Sequence, residues 1–224
     1  YYIFFIFKVF YYVNCIICSN PGTGSFLTKD SKTYWNCKNC DGKYLDAVHY
    51  IHADEEKDRY LEHNNHINDI AYRSFLGKLA VPLQAKLSSG ERGLDFGCGH
   101  GPALADMLEK NGFNVSLYDP FFFPNKDLLN KQYKFVTCTE TVEHFHNPFQ
   151  EFNTLDNLLM SGGWLGIMTS FLTSDDAFES WYYRRDPTHV TFYSEKTFEV
   201  IAEQRNWDYE IKSKDIVLLH KPNE

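Results

Sequence analysis

Three groups of residues in this 224-residue chain have the types and spacing of chemistry. The first is Asp95-Phe96-Gly97-Cys98-Gly99-His100-Gly101, in which glycines alternate. Glycine lets a backbone turn sharply and approach a ligand where any Cβ would collide. A dinucleotide turn of the form G-x-G-x-x-G would need glycine at 102, where Pro102 stands. The Gly-Lys-Ser/Thr of a phosphate loop is also absent. Asp119 follows Gly101 by 18 residues. An ionised carboxylate at that point can accept both hydroxyls of a ribose.

The second group is Glu140-x-x-Glu143-His144, with His189 further along. At helical spacing the two carboxylates stand one turn apart with an imidazole beside the second. Three roles are open to it. A hard divalent cation held there would acidify and orient a substrate hydroxyl. Without a metal, His144 or His189 is the better general base, because imidazole titrates near neutrality. A structural reading has Glu143-His144 capping the turn into the next helix.

The third group is the pair of C-x-x-C knuckles Cys15/Cys18 and Cys37/Cys40, with eighteen residues between them. That spacing suits a tetrahedral four-thiolate zinc site, although iron takes the same donor set. Four cysteines leave no open coordination position, so the expected role is structural or the docking of a protein partner. Thiols kept reduced around a metal imply a cytoplasmic setting. His49, His52, His63 and His66 fix no ligand geometry and read as a solvated face.

The elements that must position these groups fall into three parts: a zinc-ribbon module over 1–45, a helical bridge over 46–89, and an α/β domain over 90–224. In the bridge, the charge run from Asp54 opens a helical stretch over 53–88 with Ile67, Ile70, Ala71 and Phe75 at helical spacing. Beyond Gly93, short β-prone runs alternate with amphipathic helices, the pattern of a mostly parallel sheet covered on both faces. Asn147-Pro148 reads as N-cap and first turn of a helix ending at Gly162-Gly163, and Ser194 as another cap. Tyr209–Lys212 and Ile216–His220 form a closing hairpin. The 24 residues of 170–193, with Trp181, Tyr182, Tyr183 and the Arg184-Arg185 pair, are long enough to wall a pocket. They suggest a planar or apolar acceptor, with the arginines free to hold an anion.

Composition narrows the classes. A net charge of −8 disfavours general nucleic-acid binding, which rests on accumulated Lys and Arg. The apolar run over residues 1–13 carries Lys8, falls short of the ~20 residues of a bilayer span, and reads as a buried strand.

With these residues in view, the chain resembles the class I S-adenosylmethionine-dependent methyltransferases, particularly the ubiquinone-biosynthesis methylases. The landmarks are GLDFGCGHG, VSLYDP, FVTCTETVEHFHNP, GGWLGIMT and RRDPTHVTFYS, covering roughly Gly90 to Lys221. The resemblance implies a Rossmann-like sheet with helices on both faces, and methyl transfer to a small-molecule acceptor, a hydroxyl being the leading choice. It places the cofactor against Asp95, Gly97, Cys98, Gly99 and Gly101, with its ribose at Asp119 and Pro120. Thr139 and Glu140 would border the sulfonium, and Tyr60 or Tyr72 on the preceding helix would close over it. Glu140, Glu143, His144 and His189 then become the catalytic set. The E-x-x-E-H element with a distant histidine is also similar to the cation site of small-RNA 2′-O-methyltransferases. A rival from another class is a non-catalytic module that binds cofactor or a protein partner.

One departure stands out. Only Pro120 to Tyr133 separate the second strand from the next run, where family members fit a helix, a strand and another helix. The sheet is therefore expected to be short of one strand, with Phe121, Phe122 and Phe123 in an aromatic loop.

Overall fold

The computed structural model describes residues 14–62 and 66–223. The strand expected over 1–13 and the face including His63 lie outside the described residues in whole or in part. The N-terminal strands are β1 (Thr23–Lys29), β2 (Lys32–Cys37) and β3 (Lys43–Leu45). Helices α1 (Ala53–Leu61) and α2 (Ile70–Gln84) follow. Next come β4 (Arg92–Phe96), α3 (Ala103–Lys110), β5 (Asn114–Tyr118), β6 (Tyr133–Thr139) and α4 (Pro148–Leu158). The chain closes with β7 (Leu159–Met168), α5 (Asp175–Phe178), β8 (Thr191–Phe192), α6 (Glu195–Glu203), β9 (Asp208–Ser213) and β10 (Ile216–His220).

The main sheet has the order β5-β4-β6-β7-β10-β9. Its first four strands run parallel, and the β9–β10 hairpin adds antiparallel to β7. This is the expected Rossmann-like α/β arrangement. Between β5 and β6 the described chain forms only a bridge from Asp119 to Phe123 and a 3-10 turn over Lys126–Asn130, so β5 is the sheet edge and the expected shortfall of one strand holds.

Alternation along the strands builds a core on each face, since successive strand side chains point to opposite sides. Phe135, Met168 and Leu218 pack under α2 and α3 with Leu79, Leu83, Leu104 and Leu108. Their neighbours Val136, Ile167, Val217 and Leu219 pack on the other face with Phe152 and Leu155 of α4 and Phe198 and Ile201 of α6. Asn147 caps α4 with Pro148 in its first turn, and Ser194 caps α6 in a reciprocal box with Thr197.

Two boundaries differ from expectation. The helical stretch over 53–88 is two helices, because Asp69 caps a fresh start by accepting the Tyr72 amide at 2.9 Å. The α4 helix ends at Leu158 rather than at Gly162-Gly163, and β7 runs through those glycines. The glycines fall in a bulge of the β6 pairing, between Leu159 opposite Tyr133 and Trp164 opposite Phe135, and their backbone bonds go instead to Pro222 and Lys221 beyond β10.

The N-terminal strands form a second antiparallel sheet, β1-β2-β3-β8. Its last strand comes from the far end of the α/β region. A third core of Tyr34, Leu45, Leu172, Phe178, Tyr183, Val190 and Phe192 fills the space between that sheet and the 170–193 segment.

Candidate functional site

The glycine loop leaves β4 at Phe96 and turns over the C-terminal end of the sheet. Gly97 and Gly99 adopt φ of +75° and +63°, the left-handed region that favours glycine. Their surroundings differ. A Cβ on Gly97 would stand 2.2 Å from Cγ2 of Thr141, whereas one on Gly99 would meet nothing within 4 Å. Gly97 is thus a packing glycine, and Gly99 borders open space where a ligand can lie against the backbone.

Asp119 is nearly buried, and its carboxylate knits the loop to the sheet edge. Oδ1 accepts the amides of Phe121 (2.8 Å) and Phe122 (3.0 Å), and Oδ2 accepts that of Gly99 (3.0 Å). A carboxylate offers about four lone-pair sites, so one on Oδ2 remains for a hydroxyl and a second hydroxyl would displace an amide. Asp95 lies beneath the loop, accepting the Thr137 hydroxyl at 2.7 Å, and burial pushes its pKa up to about 6. Burial, with the charges of Asp95, Glu140 and Cys98, pushes the Tyr72 phenol up to about 12. At the end of β6, Oγ1 of Thr139 is buried without a hydrogen-bond partner. Pro120 is exposed at the loop edge.

The carboxylates converge differently from a helical pair. Glu140 sits outside the turn at φ +47°, and only Val142–His144 form a 3-10 turn. What joins the two is the Tyr183 hydroxyl, 2.5 Å from Oε1 of Glu143 and 3.3 Å from Oε2 of Glu140. The Thr169 hydroxyl donates to Oε2 of Glu143 at 3.0 Å and lies 3.1 Å from that of Tyr183. Glu143 is fully buried, and burial raises its pKa against the pull of the His189 charge and these hydroxyls. Glu140 is exposed by surface area yet set into a concave wall. Desolvation and the neighbouring Glu143 shift it upward, and water reaching its carboxyl limits the rise.

The imidazoles complete the cluster. Nδ1 of His144 faces the Thr188 carbonyl at 3.0 Å, and Nδ1 of His189 faces the Tyr183 carbonyl at 2.8 Å. A carbonyl only accepts, so in the neutral rings Nδ1 carries the proton and Nε2 the lone pair. Burial lowers the pKa of His189 and favours that neutral form. Glu143, His144 and His189 bring ligand atoms within 4.8 Å of one another, while Glu140 joins only through Tyr183. Overhead, Tyr60 of α1 lies edge-on to His144 and to Phe121 with centroids at 5.1 and 5.7 Å.

A cleft of about 380 Å³ opens beside Glu140, bordered by Phe75, Phe171, Trp181, Tyr182 and Tyr183, with Lys78, Lys214 and Asp215 among its polar lining. The 170–193 segment therefore walls a pocket as expected. Its arginines do not line it: Arg184 is buried against the Tyr34 hydroxyl at 3.1 Å, and Arg185 reaches the Ser180 carbonyl at 3.5 Å. Tyr183 was legible only as a wall residue, and nothing in the sequence singled out Thr169.

The four cysteines meet 3.8 Å (Cys15–Cys40) and 3.7 Å (Cys18–Cys37) apart, with all four sulfurs within 4.8 Å of one another. Zinc–sulfur bonds of about 2.3 Å in a tetrahedron give sulfur separations near 3.8 Å, so the donor set fits that ion. Hydrogen bonds among the sulfurs draw Cys18 and Cys37 down, Cys37 to about 6, and push Cys15 and Cys40 up. The amide of Ile17 points at the Cys15 sulfur (3.3 Å) and the Asn39 side chain at that of Cys18 (3.7 Å). His49, His52 and His66 join no such cluster among the described residues.

Residues 65–210 match the family model described as a methyltransferase domain. The chain belongs to that family, the class I S-adenosylmethionine-dependent methyltransferases. The fold of this methyltransferase is shared with the PH0226 protein of Pyrococcus horikoshii, at 16% identity and TM-score 0.51 over 74% of this chain and 99% of that one. It is shared too with an O-methyltransferase family protein of Burkholderia thailandensis, at 12% identity and TM-score 0.51 over 75% and 63%. A SAM-dependent methyltransferase of Archaeoglobus fulgidus is similar at 21% identity and TM-score 0.48 over 62% and 71%. No curated protein matches the sequence. The loop fits the cofactor: Gly99 faces open space, Asp119 keeps an accepting site, and Thr139 holds an orphaned hydroxyl. No helix among the described residues is long and apolar enough to cross a membrane.

Proposed function

We propose that this chain transfers a methyl group from S-adenosylmethionine to a hydroxyl of a small planar acceptor held in the cleft beside Glu140. The observation that carries this reading is the Glu140–Tyr183–Glu143 cluster, which stands between the glycine loop and an aromatic-lined cleft. The cofactor supplies a sulfonium-bound methyl, and the chain's own residues align the acceptor and remove its proton. Asp95, Cys98, Gly99, Gly101, Asp119, Pro120 and Thr139 are assigned to the cofactor, with Tyr72 closing over it; Gly97, expected there too, packs on Thr141 and shapes the loop instead. Glu140 borders both the cofactor and the acceptor.

In this scheme the hydroxyl proton passes to Nε2 of His189 or His144. Glu143 sets their environment, and Tyr183 and Thr169 hold Glu143. Orientation supplies much of the rate, because in-line displacement is sensitive to ångström-scale placement. A hard divalent cation on Glu143, His144 and His189 would serve the same end by acidifying the hydroxyl. Zinc is assigned to Cys15, Cys18, Cys37 and Cys40 as a structural ion. The division into a ribbon over 1–45, a bridge over 46–89 and a methyltransferase domain over 90–224 belongs to the same reading.

Calorimetric titration with S-adenosylmethionine and its demethylated product tests the cofactor assignment. A panel of phenolic acceptors, assayed with and without added Mg²⁺ or Mn²⁺, tests the acceptor. Glu140→Gln and Glu143→Gln are expected to lose turnover while keeping cofactor affinity. Cofactor binding with no turnover on any acceptor would favour a non-catalytic module, and no binding would remove the enzyme reading altogether.

A further inference from the structure

The ribbon shares a sheet with the segment that carries His189, and the connection between them is short. Cys40 lies three residues before β3. The register of β3 with β8 pairs Lys43 with Phe192 and Tyr44 with Thr191. The Leu45 amide donates to the Val190 carbonyl at 2.8 Å, and the Val190 amide donates to the Glu143 carbonyl at 2.9 Å. Residue 190, next to His189, is thus held between a ribbon strand and the backbone of Glu143. The Thr191 hydroxyl donates to the Phe145 carbonyl at 2.9 Å, two residues past Glu143.

Side chains repeat the connection. Lys43 is fully buried, with Nζ 2.6 Å from Oδ1 of Asp175 at the start of α5. Arg184, beside Tyr183, donates to the Tyr34 hydroxyl of β2 and stacks 5.3 Å from that ring's centroid. The first knuckle is moored elsewhere on the domain. The Ile16 carbonyl accepts the Phe149 amide at 2.9 Å, and the Cys18 carbonyl accepts Nε2 of Gln204 at 2.7 Å. One knuckle therefore sits on α4 and just beyond α6, while the other leads into the strand beside the reaction centre.

We propose that the four-cysteine metal site is a positioning device for the reaction centre: by joining the two knuckles it fixes β3, and through β8 it fixes His189 and Glu143. Strands of three and two residues hold no register by themselves. A tetrahedral ion linking the knuckles supplies the constraint that so small a sheet lacks. This gives the ribbon work inside its own chain, instead of only a docking surface for another protein.

The test compares the full metal-loaded chain with the same protein stripped by a chelator and reloaded with Zn²⁺, and with Cys40→Ser. Hydrogen exchange is read by segment. Metal loss is expected to speed exchange over 182–193 by about tenfold or more, with the strands 133–139 and 164–168 keeping their protection. Turnover is expected to fall about 100-fold with less than a threefold change in affinity for the demethylated cofactor, and zinc is expected to restore both. Unchanged exchange over 182–193 overturns the proposal. So does loss of protection in the central strands at the same time, since the metal would then support the whole fold. The turnover arm rests on the methyltransferase reading. The exchange arm does not, so an inactive protein that still shows the segmental response upholds the positioning role and faults only the reaction.

Discussion

Tyr183→Phe isolates the hydroxyl on which Glu140, Glu143 and Thr169 converge. The ring packing stays, with His189 at 4.1 Å and Trp181 at 5.1 Å between centroids. What disappears is the bond to Glu143, together with the contacts to Thr169 and Glu140 at 3.1 and 3.3 Å and the long bond from the Ser170 amide at 3.5 Å. A hydrogen bond to a charged group contributes about 1.5–3 kcal/mol, and Glu143 is fully buried with the Thr169 donor still present, so the expected destabilisation is about 2 kcal/mol. The sign with pH follows from Glu143. Its folded pKa is already above the ordinary value, so its contribution is present at low pH and lost as pH rises through the folded value. The Tyr183 bond opposes that rise, and deleting it enlarges the loss on the alkaline side. Urea melts of Tyr183→Phe, Glu143→Gln and the double variant are expected to show a coupling energy of about 1 kcal/mol, and a Tyr183→Phe deficit larger at pH 8 than at pH 5. Additive single effects and a pH-independent deficit would refute the assigned contact.

The two loop glycines are expected to separate fold from ligand. Gly97→Ala should cost about 2–4 kcal/mol in a melt, from left-handed strain plus the clash with Thr141, while Gly99→Ala should cost only about 1 kcal/mol but weaken cofactor binding in calorimetry; the reverse pattern would exchange their roles. Asp95, with its pKa raised from 3.8 to about 6, contributes stability that is present below the lower value and lost as pH rises through the upper one. Asp95→Asn, whose amide oxygen can still accept from Thr137, should therefore gain about 2 kcal/mol relative to the parent between pH 4.5 and 7.5, and equal denaturation curves at both pH values would contradict it. With the pKa of His189 lowered by burial, the acid limb of the rate profile should lie below the ordinary histidine value of 6.5, and His189→Asn should abolish that limb; a limb that survives assigns the proton elsewhere.

Local rules carried most of the architecture. The caps at Asn147 and Ser194, the hairpin near the C-terminus and the loop at Gly97–Gly101 each depend on a few adjacent residues, and each lies where those residues imply. The short Pro120–Tyr133 interval likewise left no room for a helix, a strand and a second helix, and the sheet is one strand short there. Local rules failed where a distant backbone bond or a side-chain cap competed with them. The glycines at 162 and 163 form a bulge inside β7, bonded to Pro222 and Lys221 near the far end of the chain, and the bridge splits at Asp69 through a side-chain cap inside a stretch of helical periodicity.

From residue types and spacing alone came the four-cysteine cluster, the glycine loop with its spaced acid Asp119, and the acid–imidazole set. Tertiary structure alone decided that Glu140 and Glu143 meet on the Tyr183 hydroxyl, that Thr169 holds Glu143, and that Arg184 serves the ribbon interface instead of the cleft. It also decided that a two-residue strand at Thr191–Phe192 completes the ribbon sheet. The division has a physical cause. Capping, turn preference and periodicity act between neighbours along the chain. Contacts such as Tyr34 with Arg184 join residues 150 positions apart, and no nearby sequence records which distant group will fill a buried site.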